Sequence, residues 1–311
     1  MEVKEWDGKP IRVPGWYSNV PIERYHSEGL CEGPSVSSSD LRLCWQKSVK
    51  HMFSRWAENP NAVEREPSRE MILGAVTHHL ILGEDGFRTK YVASPEQYRD
   101  LKTAEWKDWT YKANFCKNWR AEQEALGRTV VPMKDFKAVV KMAESLALET
   151  LVKDGLLNGH VETTGVFIDK PSGLWVKVRP DVVPPTDDVF IDLKTARDVT
   201  TPALQYSLRE HGYHQQGALI WQACEELGHP FASFMLMSVE TSDPWCARTD
   251  PVNQDDMSLG RLMNRSSMNK VSEAIARDHW AGPAEGELED LCLALDERVR
   301  IQNRLKREGL L

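Results

Sequence analysis

The chain has 311 residues, of which 41% are hydrophobic and 28% charged, and its formal net charge is −8. This composition excludes a largely disordered or fibrous protein, and the length allows one large domain or two small ones. No stretch reaches the ~18 unbroken apolar residues of a membrane helix, and residues 1–6 do not resemble a secretion signal. We therefore expect a cytoplasmic protein. The acidic charge argues against a protein that coats nucleic acid, but it allows a local basic groove.

The six cysteines form no metal-binding pattern. They lie at positions 31, 44, 116, 224, 246 and 292, and no pair has the Cys-x-x-Cys spacing of zinc or iron–sulfur sites. In a reducing compartment we expect free thiols that mostly pack in the core.

The first half of the chain is predicted to be mainly helical. Residues 1–35 show no sustained periodicity. Serine and aspartate capping signals predict a helix over about 39–57, and a proline in the first turn favours a second helix over 67–82. A further apolar periodicity predicts a helix over 134–156.

The segment 101–126 interleaves aromatic residues with basic ones. The basic residues are Lys102, Lys107, Lys112, Lys117 and Arg120. Such a segment could hold phosphates and stack on bases. The alternative, which the residues alone favour, is an amphipathic helix with solvated lysines.

The pattern changes after residue 157. Three β-rich runs separated by turn signals predict a three-stranded meander over 161–194. A helix over about 203–227 and a strand over 231–239 follow. This order predicts an α/β (α+β) fold in which the last strand joins a mixed sheet through a helical crossover.

The strongest candidate for a reactive site is Asp181 together with Asp192 and Lys194. Asp-x-Lys also occurs elsewhere in the chain, for example at 100–102 and 135–137, but only this copy ends an apolar strand whose neighbour ends at another aspartate. Residues at adjoining ends of antiparallel strands can converge, and two buried carboxylates repel unless a cation lies between them. Oxygen ligands of this kind favour Mg²⁺ or Mn²⁺.

Alternation along the strand places Lys194 on the same side as Asp192. A lysine beside a metal-bound water can orient that water, and this set suits hydrolysis of a phosphodiester. The alternative is a surface ion pair at a strand end, and the pattern does not choose between the two.

Two further residues fit a metal site. Glu162 lies on the first strand of the predicted meander, although an exposed edge residue would look the same. His78 follows Gly74 by one helical turn, and the glycine would let another backbone approach. Histidine on an apolar face is more often a core residue, and His79 is a rival for the ligand role.

Several loose motifs follow one another in the order found in a known family. They cover residues 17–26, 36–41, 74–78, 165–181, 191–195 and 213–216. Over about residues 17–280 the chain resembles the RecE-type exonucleases (exonuclease VIII) of prophages. These belong to the PD-(D/E)xK superfamily, with lambda exonuclease and the RecB nuclease domain. The resemblance implies a restriction-endonuclease-like core, with a mixed central sheet flanked by helices.

The resemblance also implies roles for single residues. The implied metal ligands are His78, Asp181, Asp192, the backbone carbonyl of Leu193, and Glu162 as an acidic ligand or a group behind the ligands. Lys194 would position the attacking water. Gln216 would be the glutamine of a Gln-x-x-x-Tyr motif that holds Lys194 or the DNA strand. The tyrosine position holds Ile220, followed by Trp221, so the second half of that motif is missing.

By the same resemblance, the function would be that of a Mg²⁺-dependent exonuclease with two ions per site, and Mn²⁺ would substitute. Such enzymes degrade linear duplex DNA from 5′ to 3′ and leave a 3′ single strand for an annealing protein in phage-type recombination. Family members form ring-shaped homo-oligomers around DNA, which would keep an acidic chain on its substrate. The residues expected to contact DNA are Lys107, Lys112, Lys117, Arg120 and Arg179.

Two alternatives stay open. An endonuclease or structure-specific nuclease would share this fold, because fold alone does not fix activity. A non-catalytic DNA-binding or partner-docking module with a decayed site would explain Ile220, although intact Asp181, Asp192 and Lys194 argue against decay.

We expect one nuclease domain over 1–281, with a helical part at about 36–156 and a catalytic core at about 157–245. A Gly/Pro linker at 282–286 would precede a C-terminal helix over 287–311. The apolar stripe of that helix is narrow, and it would face either the body of the protein or a partner.

Overall fold

The computed structural model describes residues 1–62, 67–83, 86–100, 102–285, 292–308 and 310–311. Its strands, in chain order, are β1 (Val3–Glu5), β2 (Gly15–Ser18), β3 (Ser35–Ser37), β4 (Tyr91–Ala93), β5 (Gln97–Arg99), β6 (Trp106–Asp108), β7 (Thr129–Val131), β8 (His160–Val161), β9 (Thr164–Asp169), β10 (Leu174–Val178), β11 (Val182–Val183), β12 (Val189–Ala196), β13 (Ser233–Glu240) and β14 (Ala247–Pro251). Its helices are α1 (Ile22–Tyr25), α2 (Ser38–Gln46), α3 (Val49–Phe53), α4 (Arg69–Ile81), α5 (Phe87–Lys90), α6 (Asn114–Ala125), α7 (Met133–Leu146), α8 (Thr150–Lys153), α9 (Thr201–His211), α10 (Tyr213–Glu226), α11 (Gln254–Arg277) and α12 (Leu295–Arg307). Within these described ranges, each helix is too short or too polar to span a lipid bilayer.

Two five-stranded sheets form the centre of the fold. The first has the strand order β1-β2-β9-β10-β3, and the second has the order β14-β13-β12-β11-β8. Both sheets contain parallel and antiparallel pairs, and helices pack against them. The predicted α/β fold of mixed sheets flanked by helices is therefore confirmed.

The predicted meander over 161–194 is divided between the two sheets. Strand β9 pairs with β10 in the first sheet, whereas β11 pairs with β8 and β12 in the second. Val178 lies opposite Gly165 before the division and Val182 lies opposite Val161 after it, so the register is unchanged. The two strand pairs are thus one long hairpin that passes from one sheet to the other.

The interruption of this hairpin has two local causes. Glu162 has a positive φ of 52°, which takes it out of the strand conformation. Pro180 lies on the other strand and has no N–H to donate to the ladder. The predicted single meander was wrong because neither effect is visible in the hydrophobic pattern.

The predicted helical crossover is present. Strands β12 and β13 are parallel, with Val189 opposite Ser233 and Ala196 opposite Glu240. The helix predicted over 203–227 is, however, two helices. Gly212 lies between them with a φ of 63°, a left-handed conformation that ends α9 and restarts the chain as α10.

Other predicted helices also differ in their bounds. The helix predicted over 39–57 is α2 and α3, because the Ser48 hydroxyl accepts the N–H of His51 and starts a new helix. The helix predicted over 134–156 is α7 and the short α8. In α4, Ser68 caps the helix by accepting the N–H of Met71, so the helix begins after the predicted proline.

Three segments departed more strongly from the prediction. Residues 1–35 contain short strands and a helical turn instead of irregular chain. In residues 102–126, which the structure describes, only α6 is helical, and β6 pairs with β5 before it. The long helix α11 was not predicted, and it packs against α10 and α2. The predicted start of the C-terminal helix, at 287, lies outside the described residues. Within the described residues, α12 begins at Leu295.

Strand β12 is buried on both faces. Phe190 packs in one apolar cluster with Phe234 and Val176, whereas Leu193 packs in a second cluster with Met237. Asp192 lies on this strand and is only 2% exposed. A charged group in such a place requires charged or hydrogen-bonding partners.

The cysteines are free thiols, four of them buried and Cys246 and Cys292 exposed, as expected.

Candidate functional site

The residues predicted to form the site come from five parts of the fold. They are His78 on α4, Glu162 after β8, Asp181 before β11, Asp192, Leu193 and Lys194 on β12, and Gln216 on α10. The division of the hairpin and the buried strand β12 bring these parts together at the junction of the two sheets.

Asp181 is fixed at this junction by its own backbone and side chain. Its N–H donates to the carbonyl of Ile191 at 3.0 Å, and its carbonyl accepts the N–H of Glu162 at 2.9 Å. Its carboxylate Oδ2 accepts the N–H of Leu193 at 2.6 Å. Asp181 is 7% exposed, so its carboxylate is held in one position in a nearly dry place.

His78 faces Asp181, and His79 does not. The Nε2 of His78 lies 2.8 Å from the carbonyl oxygen of Leu193, and its Nδ1 lies 3.4 Å from Oδ2 of Asp181. His79 is buried beside the rings of Phe87 and Tyr91. The structure therefore places His78, and not its neighbour, at the candidate site.

The contacts of His78 leave a place for a cation. A carbonyl oxygen only accepts, so Nε2 carries a proton, and in a singly protonated ring Nδ1 presents a lone pair. That lone pair faces a carboxylate oxygen at 3.4 Å. Two such atoms repel unless a proton or a metal ion lies between them.

Glu162 completes a group of three. One ligand atom each of His78, Glu162 and Asp181 lies within 4.8 Å of the other two. Glu162 also forms an ion pair with Arg179. Arg179 in addition donates to the hydroxyl of Thr164 at 3.0 Å and to a backbone carbonyl at 2.8 Å. The predicted DNA contact Arg179 is thus engaged inside the protein, with 11% of its side chain exposed.

Asp192 turns toward a second group of residues. The Nε2 of Gln216 donates to its Oδ1 at 2.5 Å, and its Oδ2 forms an ion pair with Lys194. Oδ2 is buried, and the ammonium of Lys194 is its charged partner. Gln216 therefore holds Asp192, and the structure gives it no hydrogen bond to Lys194.

The charges in this pocket shift one another's protonation. Burial, with the neighbouring carboxylates of Asp192 and Glu162, raises the pKa of Asp181 to about 7, although His78 and Lys194 oppose the shift. Burial disfavours the ammonium of Lys194, but Asp192 and Asp181 outweigh it and raise its pKa. Lys194 therefore stays charged, and the raised pKa of Asp181 indicates that its buried carboxylate is not fully compensated by the cations around it.

Sequence reasoning missed Tyr213. The Nζ of Lys194 lies 4.9 Å from the centre of the Tyr213 ring, a cation–π contact. The break at Gly212 starts α10 at Tyr213 and so sets its place. The segment 213–216 was singled out in the sequence, but nothing in its spacing shows where the ring lies. Ile220, where the motif would have tyrosine, is buried in the core and offers no polar atom.

The expected DNA contacts in the segment 101–126 lie elsewhere. Lys107 forms an ion pair with Asp100, and Arg120 forms one with Glu124. Lys112 and Lys117 are exposed. None of these four lines the cleft that opens beside Lys194. Their contact with DNA stays a prediction.

Gly74 does not have the role expected for it. A methyl group at this position would lie 3.7 Å from the hydroxyl of Thr195, an ordinary contact. The expected close approach of another backbone was wrong, because β12 presents a side chain to α4 at this point.

Comparison with known proteins places the chain in a family. The sequence model of the PDDEXK-like domain of unknown function (DUF3799) matches residues 37–292. The chain belongs to this family. The match spans α2 to α11 and therefore includes each residue of the candidate site.

Structural comparison agrees with this fold. A solved protein from Eubacterium rectale named "Putative exonuclease" is similar, with a TM-score of 0.54 and 12% identity over 84% of this chain and 91% of that one. The solved structure SSO0001 matches with a TM-score of 0.27 and 14% identity over 49% of this chain and 68% of that one. A comparison with curated proteins finds no significant match. The DUF3799 chain thus has the PD-(D/E)xK fold.

Proposed function

We propose that this DUF3799 protein is a nuclease that hydrolyses phosphodiester bonds of DNA with a divalent metal ion. One observation carries the proposal: His78, Glu162 and Asp181 bring ligand atoms within 4.8 Å of one another, beside the ion pair of Asp192 with Lys194. The PDDEXK-like family supports it, because the family is named for this acid-and-lysine pattern.

The donor set fits a hard divalent cation. The carboxylates of Asp181, Asp192 and Glu162, the carbonyl of Leu193 and the imidazole of His78 would hold it. Two observations favour a cation here: Nδ1 of His78 faces a carboxylate oxygen of Asp181, and ligand atoms of His78, Glu162 and Asp181 lie within 4.8 Å of one another. We propose Mg²⁺, with Mn²⁺ able to substitute, because the donors are mainly oxygen. The proposal of two ions per site rests on the resemblance to RecE-type exonucleases. When bound, the metal would neutralise phosphate charge and acidify a water molecule.

The side chains around the donors have separate tasks. Lys194 orients the attacking water and holds positive charge next to the reacting phosphate. The Tyr213 ring covers its ammonium at 4.9 Å and limits the directions it can take. Gln216 fixes Asp192 by its hydrogen bond, so that the carboxylate keeps one oxygen toward Lys194.

The finer activity that we propose is that of a RecE-type exonuclease. It would degrade linear duplex DNA from 5′ to 3′, and it would leave 3′ single-stranded tails for an annealing protein in phage-type recombination. A ring-shaped homo-oligomer around DNA would keep the acidic chain on its substrate. The ordered set of motifs in the sequence supports this assignment, and the fold is compatible with it.

The test compares three DNA substrates with Mg²⁺ and with Mn²⁺. A linear duplex is labelled at its 5′ end or at its 3′ end, and a covalently closed circle is the third. The proposal expects early release of the 5′ label as short products, late release of the 3′ label, and an intact circle. Cutting of the circle would instead indicate an endonuclease. Binding without any cutting would indicate a non-catalytic module.

A further inference from the structure

A large cleft opens beside Lys194, and the three ligand residues are not part of its lining. Its volume is about 1060 Å³. The lining comes from α4, α7, the end of β12, α9 and the loop 241–245. Lys194 and Tyr213 also line it, so the cleft leads to the proposed reaction centre.

The part of the lining that α7 contributes is basic. Lys134, Lys137 and Lys141 follow one another at spacings of three and four residues, which places them on one face of the helix over about 10 Å. Arg197, just after β12, adds a fourth cation. All four side chains are exposed.

These cations are available to a ligand. In the described ranges, Lys134 and Arg197 have no acidic partner within ion-pair distance. Lys137 and Lys141 form ion pairs with Glu96 and Glu144, but both pairs are more than half exposed. Exposed pairs of this kind are weak, so a phosphate can replace the carboxylate.

The part of the lining that α9 contributes is aromatic. The side chain of Tyr206 is 57% exposed, and the guanidinium of Arg209 lies 5.2 Å from the centre of its ring. Leu204 and Trp245 lie in the same lining. An exposed ring beside a row of cations is the combination that binds unpaired bases and their phosphates.

Six lysine and arginine side chains and four carboxylates line the cleft, so the carboxylates do not fully cancel this charge. Asp135 is buried and paired with Arg69. Asp198 accepts the backbone N–H of Thr200 at 2.7 Å. Glu70 and Asp243 also line the cleft, together with the cations on α7 and Arg197.

We propose that this cleft binds a single unpaired DNA strand, with its phosphates along Lys134, Lys137, Lys141 and Arg197 and a base stacked on Tyr206. A duplex would hide the base faces that Tyr206 can reach, so the aromatic lining selects an unpaired strand. The nature of the ligand rests on the proposed function, because DNA is the substrate that the reaction centre implies. The cleft would hold the strand while Lys194 reaches the bond to be cut.

The test measures binding without cleavage. A fluorescein-labelled oligo-dT strand of about 16 nucleotides is titrated in EDTA, and its anisotropy is followed at several salt concentrations. The variant K134Q/K137Q/K141Q is expected to reduce the slope of log affinity against log salt by about 2. Tyr206→Ala is expected to weaken binding at least about fivefold, and Tyr206→Phe to restore it.

The matched control removes three exposed lysines that line neither the cleft nor the site. The variant K50Q/K153Q/K170Q has the same change in charge and is expected to keep the slope of the wild type. Equal slopes for the two triple variants would overturn the proposal. Equal binding by Tyr206→Ala and Tyr206→Phe would also overturn it, as would an equal loss for a blunt duplex of the same length.

These measurements distinguish a failure of the proposed strand-binding cleft from a failure of the proposed nuclease activity. The wild-type protein could bind the strand through these residues but cut no DNA with Mg²⁺ or Mn²⁺. That result would refute the proposed nuclease activity, and the proposal that the cleft binds a strand would stand. A protein that cuts DNA, while its cleft variants bind the strand as the wild type does, would refute the cleft and leave the nuclease.

Discussion

Glu162 and Asp181 face each other across the long hairpin, where the N–H of Glu162 donates to the carbonyl of Asp181 at 2.9 Å. The pair lies at the point where the hairpin leaves one sheet for the other. The positive φ of Glu162 interrupts the ladder there, and its carboxylate joins Asp181 and His78. A feature of the backbone therefore gathers the proposed ligands, at a place that β12 keeps nearly dry.

The two adjacent histidines are predicted to give opposite results. His78→Ala removes a proposed ligand and should weaken Mn²⁺ binding about tenfold or more, with little change in stability. His79→Ala empties a place beside Phe87 and Tyr91 and should lower the free energy of unfolding by about 1–3 kcal/mol, with Mn²⁺ affinity kept. Calorimetric titration and urea unfolding measure the two effects. The reverse assignment of effects would move the ligand by one residue.

Alanine substitutions at two helical glycines are predicted to have opposite effects on stability. Gly74→Ala places a methyl group at an ordinary distance from Thr195, so it should stabilise the protein by roughly 0.5–1 kcal/mol through helix propensity. Gly260→Ala places one 2.7 Å from the backbone carbonyl of His214, where α11 crosses α10, and should destabilise it by about 1–3 kcal/mol. Urea unfolding of both variants checks the pair. A destabilised Gly74 variant would show that α4 lies closer to β12 than described.

A buried ion pair ties α11 to the end of β9. Arg265 donates to both oxygens of Asp169, at 2.6 and 2.7 Å. Burial raises the pKa of Asp169, but hydrogen bonds from Arg265 and Ser172 outweigh it and hold the pKa below its ordinary value. A carboxyl with a lowered pKa stabilises the fold above its unfolded pKa of about 3.9, and this contribution is lost as the pH falls through the folded pKa.

The loss of stability caused by removing that ion pair should therefore depend on pH. Arg265→Met should lower the free energy of unfolding by about 2–3 kcal/mol at pH 7, and the difference from the wild type should shrink below about pH 4. Arg261→Met is the matched control on the same helix, because its pair with Glu225 is exposed and should contribute less than about 1 kcal/mol. Thermal unfolding across pH measures both. A loss that stays constant down to pH 2 would contradict the role of the Asp169 charge.

Tyr213 is predicted to act through Lys194. Tyr213→Phe keeps the ring over the ammonium and should leave cleavage of linear duplex close to that of the wild type. Tyr213→Leu removes the cation–π contact and should slow cleavage roughly twofold to thirtyfold. Single-turnover rates at saturating protein separate this effect from binding. If the two variants cleave at the same rate, the ring does not position Lys194.

The main candidate residues could be predicted from the sequence because the hydrophobic pattern shows where an apolar run ends. The run Val189–Ile191 is apolar, so the aspartate and the lysine that follow it stand out, and so does Asp181 after the neighbouring run. The expectation that Asp192 ends its strand was wrong, because β12 continues to Ala196. The break at Gly212 also had a signal, since glycine inside a helical pattern can end a helix.

Other parts of the fold could not be read in this way. Glutamate is not a residue type that predicts a positive φ, so the division of the hairpin at Glu162 leaves no mark in the sequence. The buried face of α11 includes Gly260, Asn264 and Ser267, which hide its apolar periodicity. The contact of Tyr213 with Lys194 depends on tertiary packing, and spacing along the chain does not encode it.

Cleavage of linear duplex DNA by Lys194→Ala tests the central claim most directly. The variant is purified as the wild type is, and its DNA binding is measured in EDTA. We predict that cleavage with Mg²⁺ or Mn²⁺ falls by about a hundredfold or more, while DNA binding stays within about threefold of the wild type. Cleavage by the variant at the rate of the wild type would contradict the nuclease site at Asp181, Asp192 and Lys194.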